Sequence, residues 1–313
     1  MEKLILENWL SPGDIVMLTA AVRDLHRAHP GRFQTDVRTS CPALWEHNPH
    51  LTPLDPAAAD VRSLVCHYPL IHQSNRQPLH FIHGFMEFLN AELNLQIRPT
   101  EFKGDLHLAP HETEPLPAVR ELVAADRPYW IIAAGGKYDY TIKWWHRRRW
   151  QGVVDHFQDR LNFVQVGETG HYHPPLKGVI DLRGKTSLRE LVRLVHHAEG
   201  IVCPVTLLMH LAAAVPLPAG RKRLRQCVVV AGGREPAHWE QYPGHHFLHT
   251  IGQLDCCATG GCWKARTAPL GDGTRWDEPA QICSRVTPEH LPACMAAISV
   301  AQVTFIIERF LPS

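Results

Sequence analysis

Short apolar runs and helical repeats alternate along the first third of the chain. The apolar runs predict strands at residues 4–6, 33–37 and 63–66. Apolar side chains at helical spacing predict helices over residues 15–29 and 78–93, and the first of these ends at Pro30-Gly31. Strands that alternate with helices are typical of βαβ units over a parallel sheet.

A polar, proline-bearing stretch over residues 109–128 separates this series from a second one. The second series has predicted strands at 129–134, 162–166, 200–205 and 227–231, and predicted helices at 144–157, 187–197, 206–215 and 299–310. The pattern predicts an α/β chain of two Rossmann-like, doubly wound domains that face a cleft. We expect an acceptor-side domain at 1–112, a linker at 113–128, a donor-side domain at 129–250, a cysteine-rich segment at 251–296 and a C-terminal helix at 297–313.

Size and charge restrict the class of protein. The chain has 313 residues, 45% of them hydrophobic, which is enough to form two cores. Lys plus Arg number 32 and Asp plus Glu number 31, so strong nucleic-acid binding is not expected despite the basic run at residues 146–149. No run approaches the ~18 apolar residues that span a bilayer, and the first residues do not resemble a signal peptide. We therefore predict a cytoplasmic protein without a membrane span.

The first candidate site residue is Asp14, which follows Gly13 in the turn between the first strand and the first helix. In open α/β sheets this turn lies at the ligand-binding edge. A carboxylate there can accept a proton from an acceptor hydroxyl. Aspartate is also a favoured helix N-cap, so a structural role stays open from this position alone.

A second candidate is the loop that follows the strand at 129–134. Gly135 and Gly136 allow backbone amides to approach an anion, and Lys137, Thr141 and Lys143 add donors and charge. This arrangement suits a diphosphate, although the spacing of a Walker loop is absent. An ordinary polar loop would have the same composition.

Two further strand ends carry polar residues. Gly167 and Glu168 follow the strand at 162–166, where a glutamate can hold ribose hydroxyls. Thr206, Met209 and His210 lie on the short helix after the strand at 200–205. Each of these signals is weak alone, because a solvated loop acid or a core histidine would look the same.

Taken in order, these segments resemble glycosyltransferase family 9, the heptosyltransferase-like enzymes, from about residue 4 to about residue 245. The matching elements are Gly13-Asp14, Lys143-Trp144, Gly167-Glu168, residues 182–188 with Lys185 and Thr186, residues 205–214 with Thr206, Met209 and His210, and the turn at 231–236.

The resemblance implies a GT-B fold and an inverting transfer of a sugar, for example heptose, from a nucleotide diphosphate sugar to a hydroxyl. It implies that Asp14 is the general base, that Lys143, Thr141 and the amides near Gly135 and Gly136 stabilise the leaving diphosphate, and that Glu168 holds the ribose. Thr206, Met209 and His210 would line the donor pocket, and Lys137, Gly167, Lys185 and Thr186 would complete it. No catalytic divalent metal is expected. The acceptor would be a protein or a glycan, and a homo-oligomer is compatible with the pattern.

The chain departs from the family signature at two positions, where Val205 and Leu207 stand in place of Asp and Gly. The departure keeps open a second hypothesis, a non-catalytic protein that binds a sugar nucleotide or a glycan on a decayed transferase scaffold. A transferase that modifies nucleic acid is a third hypothesis, and the near-neutral charge argues against it.

Five cysteines crowd into the predicted segment at 251–296: Cys256, Cys257, Cys262, Cys283 and Cys294. In a reducing compartment such a cluster favours a metal over disulfides, and four thiolates bind zinc or iron tetrahedrally. We expect Cys262, Cys283, Cys294 and one of the adjacent pair to hold a structural ion, while free buried cysteines are the alternative. The cluster resembles the cysteine-bound iron site of bacterial autotransporter heptosyltransferases, which are relatives in the same family.

Overall fold

The computed structural model of the protein describes residues 1–311, which form two parallel sheets. The strands are β1 (Glu2–Asn8), β2 (Phe33–Thr39), β3 (Val61–Val65), β4 (Tyr129–Ile132), β5 (Asn162–Gln165), β6 (Ile180–Asp181), β7 (Gly200–Pro204), β8 (Gln226–Gly232) and β9 (His245–His249). The α-helices are α1 (Pro12–Ala28), α2 (Ile82–Leu93), α3 (Pro117–Ala124), α4 (Arg147–His156), α5 (Leu188–His197), α6 (Leu207–Ala214), α7 (Ala237–Glu240), α8 (Ala293–Ala296) and α9 (Val300–Glu308).

The first sheet has the strand order β2-β1-β3, with all neighbours parallel. Its centre is β1, in which Leu4, Ile5 and Leu6 are buried on both faces. A strand buried on both faces reads as a continuous apolar run, which is why the sequence marked it clearly. Helix α1 follows β1 directly and covers this sheet.

The second sheet has the order β6-β5-β4-β7-β8-β9, again with parallel neighbours. The chain moves outwards from β4 to β5 and β6 and then returns to the other side of β4 with β7. The strand order therefore reverses between β4 and β7, and ligands of open α/β sheets bind at such a switch point. The loops that follow β4 and β7 are two of the segments predicted to hold the donor.

Two hydrophobic clusters hold the chain together. The larger one joins the two sheets, since α1 (Ile15, Met17) and α6 (Leu208, Leu211) both contribute buried side chains to it. The second covers the opposite face of the second sheet, where Trp130 and residues of α4 meet the C-terminal helix α9. Helix α9 thus packs on the second sheet although it lies beyond the cysteine-rich segment.

The predicted linker at 113–128 contains α3, which composition alone had not indicated. Pro117 occupies the first helical turn, where proline is well tolerated, and Val119 and Leu122 are buried. The domain boundaries given above stay a prediction. Helix α2 begins at Ile82, four residues after the predicted start, where the Ile82 amide donates to His80 Nδ1 at 3.0 Å.

Candidate active site

A cavity of 660 Å³ lies between the carboxyl ends of the two sheets. This volume falls within the range of small-molecule sites. Most of the predicted site residues line it: Asp14, Gly135, Gly136, Lys137, Lys143, Gly167, Glu168, Thr186, Thr206 and His210. The topology brings them together because each follows the carboxyl end of a strand, and these ends of both sheets face the cavity.

Asp14 is in the first turn of α1, and one of its oxygens accepts a hydrogen bond from the Ser11 amide at 3.0 Å. The carboxylate therefore supports the helix start and also faces the cavity. Burial raises the pKa of Asp14, while the Tyr68 hydroxyl, the Ser11 amide and the Lys143 charge act in the opposite direction. A carboxylate with a raised pKa is a stronger base than an ordinary surface aspartate.

Lys137 connects the two sides of the cleft. Its Nζ, on the donor-side loop after β4, donates to Ser11 Oγ at 2.9 Å on the turn before α1. The same loop is fixed at Gly135, whose φ is +144° and whose Cα lies tightly against Tyr172. The Gly136 amide donates to the Tyr172 carbonyl at 2.9 Å, so this amide already has a partner.

Lys143 belongs to a charged cluster in the middle of the cleft. Its Nζ is 3.0 Å from Glu235 Oε1, and Arg234 pairs with the same oxygen. The Tyr140 ring lies under both cations, with its centroid 5.3 Å from Lys143 Nζ and 4.8 Å from Arg234 Cζ. Burial alone would raise the pKa of Glu235, but Arg234 and Lys143 lower it below its usual value. Two cations thus converge on one carboxylate inside the cavity.

His210 is packed against the turn that carries Asp14. A Cβ placed on Gly13 would lie 2.9 Å from His210 Cδ2, so this position requires glycine or a shift of the ring. His210 Nδ1 and the Tyr242 hydroxyl are 2.6 Å apart, and that hydroxyl donates to Met17 Sδ at 2.8 Å. Burial lowers the pKa of His210 well below its usual value, so the ring is neutral.

Three residues predicted to bind the donor lie outside the cavity. Thr141 Oγ1 accepts a hydrogen bond from the Thr267 amide at 2.9 Å, which turns it toward the cysteine-rich segment. Met209 is fully buried in the core on α6. Lys185 donates to the Asp181 carbonyl at 2.8 Å. The three residues were predicted to bind the donor from their position in the sequence alone. In the structure, the contacts just described direct their side chains away from the cavity.

Several cavity residues were not assigned a role from the sequence: Tyr68, Arg234, Glu235, Glu240 and Trp263. The pair Arg234-Glu235 did carry a signal, because two charges follow the buried strand β8 after a single glycine, Gly233. Glu240 gave no comparable signal, since it ends a single-turn helix.

The predicted metal ligands gather near the turn after β8. Cys257 and Cys294 are buried, and a Cβ on Gly233 would lie 2.9 Å from Cys257 Sγ. The Arg285 amide donates to Cys283 Sγ at 3.4 Å, a type of hydrogen bond that also occurs at metal-bound thiolates. Within residues 1–311, no three of the five sulfurs lie within 4.8 Å of one another. The metal site therefore stays a prediction.

The cysteine-rich segment also supports the charged cluster. The Ile142 amide donates to the Ala265 carbonyl at 3.1 Å, and Arg234 Nε donates to the Lys264 carbonyl at 2.7 Å. The segment reaches the first domain as well, because Asn75 Nδ2 donates to the Gly261 carbonyl at 2.9 Å. Residues 261–267 thus pack against the segments that carry Lys143 and Arg234.

The fold and the cleft define a GT-B protein, and comparison with known proteins gives the same result. A sequence model of glycosyltransferase family 9 (heptosyltransferase) matches residues 68–219. This match confirms the resemblance drawn from the motifs, and the chain is a glycosyltransferase whose residues 68–219 are similar to family 9. A comparison with curated proteins found no match.

Solved structures of family 9 enzymes share the fold. A glycosyltransferase of family 9 from Veillonella parvula has a TM-score of 0.64 at 12% identity, with 99% of this chain and 97% of that chain covered. ADP-heptose lipopolysaccharide heptosyltransferase II of E. coli has a TM-score of 0.59 at 13% identity, with 99% and 98% covered. The dodecameric, iron-containing heptosyltransferase TibC of enterotoxigenic E. coli, solved with ADP-D-β-D-heptose, has a TM-score of 0.61 at 16% identity, with 99% and 76% covered. At these identities the likeness establishes the fold.

Among the helices of residues 1–311, none is both long enough and apolar enough to cross a bilayer.

Proposed function

We propose that this chain is an inverting glycosyltransferase that moves a sugar, heptose in the first instance, from an ADP-linked donor to a hydroxyl of a protein or glycan acceptor. The observation that carries the proposal is the pairing of Asp14 with a cationic cluster across one cavity. The match to the heptosyltransferase family and the ADP-heptose bound by TibC support the choice of donor.

The reaction follows from the two sides of the cavity. Asp14 accepts the proton of the acceptor hydroxyl, whose oxygen forms a bond to the anomeric carbon. The bond from that carbon to the diphosphate breaks, and the diphosphate leaves with the electron pair. Lys143 and Arg234 neutralise the negative charge that develops on it, which is usually the largest contribution to catalysis. We expect the sugar to bind between the base and the cations, an arrangement in which the acceptor oxygen attacks opposite the leaving diphosphate and the anomeric centre is inverted.

The remaining residues of the proposed donor site hold the nucleotide. Glu168 follows β5 at the mouth of the cavity, with an exposed side chain that suits ribose hydroxyls. Thr186 and Thr206 contribute hydroxyls, and the loop at Gly135 and Gly136 lies beside the diphosphate. Lys137 is bonded to Ser11 in this structure, so we expect it to bind the diphosphate only after exchanging that partner.

A structural iron or zinc ion held by Cys262, Cys283, Cys294 and one of Cys256 and Cys257 is part of the proposal. The chemistry of the donor set fits, because thiolates suit both metals and the ion would supply a structural cross-link. Burial raises the pKa of Cys256 and of Cys294, and the neighbouring Cys283 thiol raises the pKa of both further. The iron of TibC supports this assignment, and its dodecameric state supports a homo-oligomer. The cytoplasmic location stays a prediction.

A thermal-shift screen with ADP-, UDP-, GDP- and dTDP-sugars tests the donor class, because a ligand that binds only the folded state raises Tm by mass action. We expect a shift with ADP-heptose that Lys143→Ala abolishes. Lys185→Ala is the matched control, since Lys185 lies outside the cavity, and it should keep the shift. A Tm shift with a different nucleotide sugar alone would mean that the donor is not ADP-linked. Equal loss of the Tm shift in both variants would argue against the proposed role of Lys143.

The alternative function is binding of a sugar nucleotide or glycan without turnover. Val205 and Leu207 favour it, since both line the cavity where the family signature has Asp and Gly. Hydrolysis or transfer from a donor that binds would exclude this alternative. Tight donor binding with no turnover, in protein that contains its metal, would support it.

A further inference from the structure

Two buried carboxyl groups in the middle of the cleft lack complete hydrogen bonding. Glu235 Oε2 and Glu240 Oε2 have no hydrogen-bond partner within residues 1–311, and the two side chains are only 5% and 7% exposed. Both residues line the cavity. An unpaired buried polar group destabilises the folded protein, and a ligand that supplies the missing hydrogen bond offsets that loss.

The two carboxyls offer different hydrogen bonds. Glu235 is an anion, because Arg234 and Lys143 stabilise its charge, and it can only accept. Burial, and then the nearby Glu235 carboxylate, raise the pKa of Glu240 well above its usual value, so Glu240 is a neutral acid that can donate and accept. Such a pair suits hydroxyl groups, which are donors and acceptors at once, and does not suit a second anion.

The location of the pair narrows the choice of ligand, and this step rests on the proposed function. Glu235 Oε1 contacts Lys143 at 3.0 Å, on the leaving-group side of the cavity. Glu240 Oε2 is 3.5 Å from His210 Nε2, and the His210 ring packs against Gly13, beside the base Asp14. The group that lies between the base and the leaving diphosphate in a glycosyl transfer is the sugar itself.

We propose that Glu235 and Glu240 form the sugar pocket of the donor site, in which their carboxyl groups bind hydroxyl groups of the transferred sugar ring. The pocket would select donors by the hydroxyl pattern of the sugar, independently of the residues that bind the nucleotide. Substitution of either glutamate should therefore change the affinity for the nucleotide sugar relative to the affinity for the nucleotide diphosphate alone.

The test is isothermal titration of ADP and ADP-D-β-D-heptose into wild type, Glu240→Leu and Glu240→Gln. The readout is the ratio of the two Kd values, which a general loss of fold or of nucleotide binding does not change. The sugar's contribution to binding is the Kd for ADP divided by the Kd for ADP-heptose. We expect Glu240→Leu to lower this ratio about tenfold, because one hydrogen bond is lost and one sugar hydroxyl is left unpaired. Glu240→Gln, a neutral group that still donates and accepts, should stay within about threefold of wild type. Glu121→Leu, at an exposed position on α3, is the control.

Glu235→Gln gives an independent second variant if Glu240→Leu does not fold. It removes the anion that neutralises Lys143 and Arg234, so ADP should bind more tightly while the sugar's contribution falls. A ratio unchanged in Glu240→Leu and in Glu235→Gln would overturn the pocket and leave the proposed function standing. Equal weakening of ADP and ADP-heptose would assign these residues to the shape of the cleft and also overturn it. If wild type binds neither ligand, the ADP donor fails and the pocket fails with it.

Discussion

The two adjacent glycines of the donor-side loop should respond very differently to alanine. A Cβ on Gly135 would lie 1.9 Å from the Tyr172 carbonyl oxygen, and the residue has a φ of +144°. The atom in the way is backbone, and it accepts the Gly136 amide hydrogen bond of 2.9 Å that anchors the loop. A Cβ on Gly136 would meet only Trp144 Nε1, at 4.0 Å.

The expected cost follows from these contacts. A backbone conformation restricted to glycine costs about 1–3 kcal/mol for another residue, and overpacking adds a similar amount. We therefore expect Gly135→Ala to lower the free energy of unfolding by about 3 kcal/mol, with a fall in Tm of about 6 °C or more. Gly136→Ala should stay within about 0.5 kcal/mol of wild type.

Chemical and thermal denaturation of both variants, together with ADP titration, measures this difference. Because the loop carries Lys143, Gly135→Ala should also weaken ADP binding in protein that is still folded. Equal stability of the two variants would refute the assigned backbone geometry of the loop, as would a larger loss in Gly136→Ala.

Three further predictions concern stability and the metal. Burial lowers the pKa of His245 to about 3, so below pH 6.5 the side chain binds a proton in the unfolded chain and stays neutral in the folded chain. His245→Phe removes this difference, and the change that it makes in the free energy of unfolding should be about 2 kcal/mol more favourable at pH 5 than at pH 7.5. Equal changes at both pH values would contradict this. Arg189→Met removes the partner of the buried Glu112 carboxylate and should lower the free energy of unfolding, measured with urea, by about 3 kcal/mol. An unchanged urea midpoint would show that the ion pair contributes nothing to stability. Metal analysis should find about one iron or zinc ion per chain. This ion should be lost in Cys262→Ser and kept in Cys66→Ser. Equal metal content in the two variants would contradict the proposed ligands.

Much of the fold was predictable because the strands of a parallel sheet are apolar on both faces. β4 and β8 are completely buried and stood out as continuous apolar runs. The strands that the pattern did not mark are β6, which has only two residues, and β9, which contains three histidines. Helix α3 was hidden by prolines and acids, although proline at a helix start is favourable.

The candidate site was predictable only as far as strand ends determine it. Asp14 follows a strand of the first sheet and Lys143 and Glu168 follow strands of the second, so a cleft between the carboxyl ends of the two sheets places them around one cavity. The direction of a side chain depends on contacts between distant segments, and this is why Thr141 bonds to Thr267 instead of facing the donor. The same reason hid the charged cluster, in which Lys143 is about ninety residues in sequence from the adjacent Arg234 and Glu235.

Asp14, as the base of the sugar transfer, is the residue on which the proposed mechanism depends most directly. The measurement is the rate of ADP release from ADP-heptose by wild type and Asp14→Asn, as a function of pH, with donor affinity determined on the same samples. A general base contributes about 10²–10⁴-fold, so we expect a loss of that size with donor binding retained. Because burial raises the pKa of Asp14, the wild-type rate should fall as the pH drops through a value above that of an ordinary aspartate, and the residual rate of the variant should lack this step. Equal rates for the two proteins, or a wild type that binds the donor and never releases ADP, would contradict the proposed mechanism.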